Sequence, residues 1–385
     1  MTSTNSTISP DMRPSLSSSR RRAGFSLVEL MVAMVIGSIV VAGLIDLFVS
    51  NRRAYQVQSG NDYLQENLRV ATDRLGWSIR MADYWGATKS TNVTNSAGST
   101  VTAKGACNGA WVTSVQSNTT GGGGIFGYDG GATFPIDATC IDGAANYVPA
   151  SDVLVLRYAD PQLLSPGPAD ATTPAESATI SGNPKEIFLL STPGMSAQLF
   201  AGSVPTTSTA GLQRYVQALD LDMYYLRPCS VIATGATCQA TDDGGLPLPT
   251  LVRTYLKSDG TLVSEPVIQG VEQIKFEYGI PADATTNAPT YESAAAITAS
   301  AQWGAVTSVR ISLVSVSPVR DLTVPHTGTF TLGTDSLCTY TINNGSTDTT
   351  GCSGFTPYGD KPWQFNRTRQ QLVMQLRNRV RGQTI

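Results

Sequence analysis

Arg20-Arg21-Arg22-Ala23-Gly24-Phe25-Ser26-Leu27-Val28-Glu29-Leu30 is the stretch that decides how this chain is built. Three arginines run into Ala-Gly. An apolar run then reaches Val49, and only two carboxylates interrupt it: Glu29, five positions past Gly24, and Asp46. A charge in an apolar helix costs several kcal/mol unless it finds a partner, on the order of 2.5–3.5 kcal/mol at a membrane centre. Glu29 therefore asks for an explanation. Residues 25–49 as helix give about 37 Å, enough to cross a hydrocarbon core of ~30 Å. An ordinary secretory signal has a shorter apolar core, about 7–15 residues, and then a small-residue cleavage site. Here the run from Leu30 to Ile45 is longer, and Ala42 and Gly43 lie inside a pattern that continues as helix. A plain single-span anchor accounts for the length but leaves Glu29 and the Gly-Phe junction unexplained.

The basic cluster, the Gly24-Phe25 junction, the spacing to Glu29 and the apolar run together resemble the class III signal of type IV prepilins and type II secretion pseudopilins. That resemblance implies a leader, residues 1–24, cut after Gly24 by a prepilin peptidase. It implies N-methylation of the new terminal residue, Phe25, and a subunit-docking role for Glu29. Many type IV pilins carry a proline partway along this helix; here Asp46 stands near that place.

The apolar pattern continues past the membrane segment in amphipathic form. Leu64, Leu68, Ala71, Leu75, Ile79 and Ala82 recur at intervals of three and four, with Gln65, Glu66, Arg69, Asp73 and Arg74 on the other face. The helix is expected over 25–86, spanning a membrane over 25–49 and packing an apolar stripe on a sheet beyond it. Gly60 and Gly76 weaken it by up to ~1 kcal/mol each relative to alanine.

Residues 87–385 read as a β-rich globular domain with long loops. Residues 87–150 are rich in Gly, Ser, Thr and Asn and predict a long covering loop with short strands at most. Strands are expected over 152–158, 186–191, 217–226, 251–256, 270–278, 306–316 and 371–380. Val309, Ile311 and Leu313 alternate with Arg310 and Ser312, the period-two signature of a half-buried antiparallel strand. Loops are expected over 161–184 and 282–298. The fold class is thus α+β, a type IV pilin-like long N-terminal helix on an antiparallel β-rich domain.

Only 14% of the 385 residues are charged. Without the leader, 22 basic and 28 acidic residues remain, a net charge of −6, and no basic face for nucleic acid emerges. Four basic residues before the apolar run against Arg52 and Arg53 after it favour a cytoplasmic N-terminus and an exported domain. All six cysteines lie in that domain. An even count in an exported chain reads as disulfides. Fifteen connectivities are open, and proximity along the chain favours Cys107–Cys140, Cys229–Cys238 and Cys338–Cys352. A metal site is the rival reading, but there is no C-x-x-C and the one histidine, His326, has no cysteine at ligand spacing.

Enzyme chemistry finds little support. No G-x-S-x-G, H-E-x-x-H or P-loop occurs. Gly121–Gly124 lacks the Lys-Ser/Thr of a phosphate loop, and Asp242-Asp243 sits in a turn-like setting without a calcium-binding array. Trp111, Tyr128, Tyr147, Trp303 and Trp363 read as core or lid packing, with partner anchoring as the alternative. No catalytic residue, cofactor or metal is expected.

Later segments extend the resemblance to PilW-type minor pilins: 78–86 (SIRMADYWG), 267–279 (VIQGVEQIKFEYG), 306–318 with its VRISL strand, and the terminal LRNR at 376–379. The resemblance implies a protein first held in the inner membrane and then placed in the pilus, working with other minor pilins and the major pilin. It further implies a part in initiating assembly, a tip position beside a large adhesin, and support of adhesion and twitching motility. The nearest alternative is a J-type minor pseudopilin of type II secretion; a membrane-anchored periplasmic enzyme is more remote.

Overall fold

A computed structural model describes residues 24, 26–97, 100–164, 174–205, 213–281, 289–334 and 337–380. Residues 1–23 of the expected leader, and Phe25, lie outside the described residues. By internal contacts the chain divides into two units, 1–55 and 56–385.

Helix α1 runs from Leu27 to Met81 without interruption. No proline lies within it, and Gly37, Gly43 and Asp46 are all accommodated. From 27 to 59 every residue is exposed. From Gly60 onward a stripe is buried: Gly60, Leu64, Leu68, Ala71, Leu75, Gly76 and Ile79. The two glycines have a packing reason. A Cβ at Gly60 would stand 3.1 Å from Ser317 Oγ, and one at Gly76 3.0 Å from Met374 Cε, so their absence lets the sheet approach the helix.

The helix ends five residues before the expected Gly86. Asp83, Gly86 and Ala87 all have positive φ, which helical backbone does not permit. Trp85 is buried and donates its indole N–H to Asp83 Oδ1 at 2.8 Å, so this apolar residue packs beneath a turn rather than on a helix face.

Eight strands form the first sheet: β1 (Val93–Asn95), β2 (Ile125–Tyr128), β3 (Val153–Ala159), β4 (Ile187–Thr192), β5 (Ser196–Ala201), β6 (Tyr215–Arg227), β7 (Thr250–Leu256) and β8 (Leu262–Gln269). The order is β1-β5-β4-β6-β3-β2, and β6 also pairs with β7, which pairs with β8. β6 is long enough to serve β4 with residues 215–218 and β7 with residues 222–227. All pairings in this sheet are antiparallel except β1 with β5.

The second sheet begins with β9 (Val271–Pro281), β10 (Pro289–Glu292) and β11 (Ser308–Arg320). A small third sheet follows, of β12 (Gly328–Leu332), β13 (Cys338–Asn343) and β14 (Ser346–Asp348), and β15 (Phe365–Gln375) then returns to complete the second in the order β10-β9-β11-β15. Its pairs are all antiparallel, with Ile311 opposite both Phe276 and Leu372. The α1 stripe, one face of this sheet and Leu154, Leu156, Tyr224 and Leu226 of the first sheet share one core. On the other face of the first sheet, Val153, Val155, Leu221 and Met223 pack under the irregular segment through Val112, Phe134 and Tyr147. Arg157 ties that cover down. Its guanidinium donates to the carbonyls of Trp111, Val112 and Gly123, and burial lowers its pKa to about 10.

Three expectations need correction. The C-terminal strand is β15, 365–375, and a helical turn, Arg377–Val380, takes the rest of the segment expected as strand. The expected loop 161–184 contains a helix, Pro174–Gly182, and 282–298 contains β10 and part of a short helix, Ala294–Ala299, capped by Ser293. Short Ala/Ser/Thr runs carry almost no periodicity, so pattern alone missed both helices.

Asp220 marks a local weakness of β6. Burial, then the charges of Asp222 and Asp160, raise its pKa to about 7. The folded value lies above the unfolded one, ~3.9, so the protonated form favours the fold. That contribution is full below about pH 4 and is lost as pH rises through 7. Asp220→Asn is expected to add roughly 1–3 kcal/mol to stability at pH 8 and little at pH 4. Urea titrations at the two pH values check this; equal gains at both would contradict it.

Candidate functional site at the helix N-terminus

Ser26 stands just before α1, and its Oγ accepts the backbone N–H of Glu29 at 3.4 Å. Ser-x-x-Glu is the capping-box spacing, which satisfies backbone donors that a helix start leaves unpaired. Glu29 lies in the first turn, where the helix dipole favours a negative charge. Its side chain is exposed, and among the described residues it has no ion-pair partner. The local fold thus explains how Glu29 is tolerated at this position but leaves its charge unused.

Gly24 is also exposed, and no described residue lies within 4 Å of where a Cβ would stand. The described fold makes no demand for glycine there. Between Leu27 and Val49 the apolar side chains all face outward, Leu27 75% and Phe48 69% exposed. An apolar helix left bare over this length must be covered by lipid or by other helices, because ~25 cal/mol per Å² is at stake.

The six cysteines come together as Cys107–Cys140, Cys229–Cys238 and Cys338–Cys352, with Cα separations of 5.6, 5.7 and 4.8 Å. Asp242 is close to the second pair, but both sulfurs are bonded to each other and its carboxylate accepts the N–H groups of Ala233 and Gln239. Asp243 accepts from Ser230 and Leu248, a turn-building role. His326 Nε2 meets Asp321 Oδ2 at 3.1 Å on a partly exposed loop, and among the described residues no nucleophile is bonded to the imidazole to make a triad. Trp303 is buried, stacked on Phe126 with ring centroids 4.4 Å apart, and Tyr147 is buried as well.

Pattern reading missed what the later family-like segments do. Asn378 Nδ2 donates to the carbonyls of Arg80, Met81 and Ala82, the orphan acceptors at the end of α1. Arg379 pairs with Asp83 at 2.6 Å and donates to the carbonyls of Trp303 and Val306. Leu376-Arg377-Asn378-Arg379 is therefore the lock on the helix's C-terminal end. Farther up the chain, Glu272 accepts from Arg367 at 2.7 and 2.8 Å, both side chains being almost fully buried. Gly270, two residues earlier, has φ +76° and sits against Val316 O, where a Cβ would clash.

Two family models match the chain. One, described as the prokaryotic N-terminal methylation motif, matches residues 19–45; the other, described as type IV pilus-assembly protein W, matches 232–378. No curated protein matches, and no solved structure does. The first match contains the arginine cluster, Gly24, Phe25 and Glu29, so this segment is similar to a class III pilin signal. The second match falls in the β-rich domain. Its span, similar to the PilW family, holds Gly270, Glu272, Arg367 and Asn378.

Proposed function

We propose that this protein is a minor pilin that helps to initiate type IV pilus assembly, and that its role is structural rather than catalytic. The observation that carries the reading is one chain holding an exposed apolar helix behind a methylation-type signal, followed by a PilW segment. Prepilin peptidase cuts after Gly24, the α-amino group of Phe25 is methylated, and residues 25–49 hold the protein in the inner membrane with the domain on the periplasmic side. Residues 87–385 form that domain. In assembly the apolar helices of neighbouring subunits replace lipid around α1. Other minor pilins and the major pilin are the partners, with a tip position beside a large adhesin and a part in adhesion and twitching motility.

Gly24→Val tests the first step. The substitution has room in the fold, so any defect reports on the peptidase. The expected outcome is a folded, membrane-held protein of uncut mass that is absent from sheared pili. Normal cleavage and normal piliation would count against the reading.

A further inference from the structure

The loop from Asp321 to Thr327, between β11 and β12, exposes two large apolar side chains, Leu322 (75%) and Val324 (59%). The loop is held in place. Asp321 N–H donates to Gln364 O and His326 N–H to Trp363 O, both at 2.7 Å. Asp321 also receives His326 Nε2 at 3.1 Å and both the N–H and the hydroxyl of Thr323. Leu322 and Val324 are thus presented to solvent by a tied loop.

Its place in the domain says what covers them. Along the core, Met374, paired with Val309, lies at Gly76 of α1, and Ser317 lies at Gly60. Sixteen helical residues and eight strand residues span about the same distance, roughly 25 Å, so β11 runs antiparallel to this part of α1. β11 continues to Arg320, about 10 Å past the level of Gly60. The loop therefore caps the end of the domain by which the chain enters it. The apolar run ends at Val49, and as helix only about 16 Å separate it from Gly60. A tether that short bounds how far this end of the domain can stand from the membrane. Half-buried Trp363 at the loop's base is a residue type enriched at membrane–water interfaces.

We propose that the loop Asp321–Thr327 is a second lipid contact, which seats Leu322 and Val324 in the interface of the membrane that α1 spans. This rests on the membrane-anchored reading above. Before assembly the contact fixes how the domain stands on the bilayer. Extraction into a pilus uncovers the two side chains.

The test uses the full-length chain in phosphatidylethanolamine/phosphatidylglycerol vesicles. A photoreactive benzoylphenylalanine replaces Leu322, Val324 or, as control, Met195. Met195 is 52% exposed and lies at the opposite end of the domain, where Gly194 N–H donates to Ala87 O. After flotation and irradiation, lipid adducts are counted by mass. Positions 322 and 324 are expected to give several-fold more lipid adduct than 195. Flotation with equal adducts at all three positions overturns the lipid contact while leaving the anchor intact, as do adducts at 322 and 324 only to a second copy of the protein. Failure to float overturns both.

Discussion

Arg367→Ala is expected to lower the stability of the domain by about 3–5 kcal/mol, the cost of breaking a buried ion pair from one side. The guanidinium makes two bonds to Glu272 and donates to the carbonyls of Tyr358, Pro362 and Phe365. Glu272 also accepts the hydroxyl of Tyr340 and the N–H of Tyr358, so it knits β9, β13, β15 and the loop before β15 together. Removing Arg367 leaves a buried carboxylate with its strongest partner gone and three carbonyls short of donors. Domains have about 5–15 kcal/mol in hand, so the loss takes much of the reserve. The double variant Glu272→Met with Arg367→Met removes both charges and should cost less than the single one. Chemical denaturation followed by far-UV circular dichroism reads both. A single variant as stable as the parent would show that the pair is not the clasp described.

The second large effect is on assembly. The proposed cleavage after Gly24 would leave a positive α-amino group on Phe25, four residues before Glu29 in the chain. In an apolar surrounding an ammonium and a carboxylate attract each other far more strongly than in water. Glu29 has no ion-pair partner among the described residues of its own chain. We propose that its partner is an amino terminus, either its own or that of a neighbouring subunit, and that the second arrangement sets the axial stagger of packed helices. Glu29→Ala is expected to be inserted and cleaved but largely lost from sheared pili and from complexes with the other minor pilins. Glu29→Gln keeps the shape and the helix start while removing the charge, so it should fail in the same way. Quantitative immunoblots of membrane and pilus fractions check this. Two variants that assemble like the parent would mean that Glu29 serves only the helix start it shares with Ser26.

The long helix and most of the central strands are legible in the sequence because burial leaves a period. Leu64, Leu68, Ala71, Leu75 and Ile79 repeat on one helix face, and Val309, Ile311 and Leu313 alternate along β11. Strands that lack such a period, β8 and β14 among them, are not legible for the same reason. β14 is exposed throughout, and β8 contains Pro266, which its position at a sheet edge permits. The N-terminal segment is legible as chemistry, because an unpaired carboxylate in an apolar run stands out in any fold. The Ser26 cap has a signal of its own in the Ser-x-x-Glu spacing. Asn378, Arg379, Glu272 and Arg367 could not be assigned partners from the chain alone. Glu272 meets Arg367 across 95 positions, and Asn378 reaches Arg80 across 298. A pairing over such distances is decided by topology, which local pattern does not encode.

The central claim is that this chain is processed and assembled as a pilin. Intact-mass analysis of the protein taken from sheared pili tests it most directly. The account predicts a chain that begins at Phe25 and carries one added methyl group. A chain in that fraction that retains Met1, or that begins near Ala42, would contradict it.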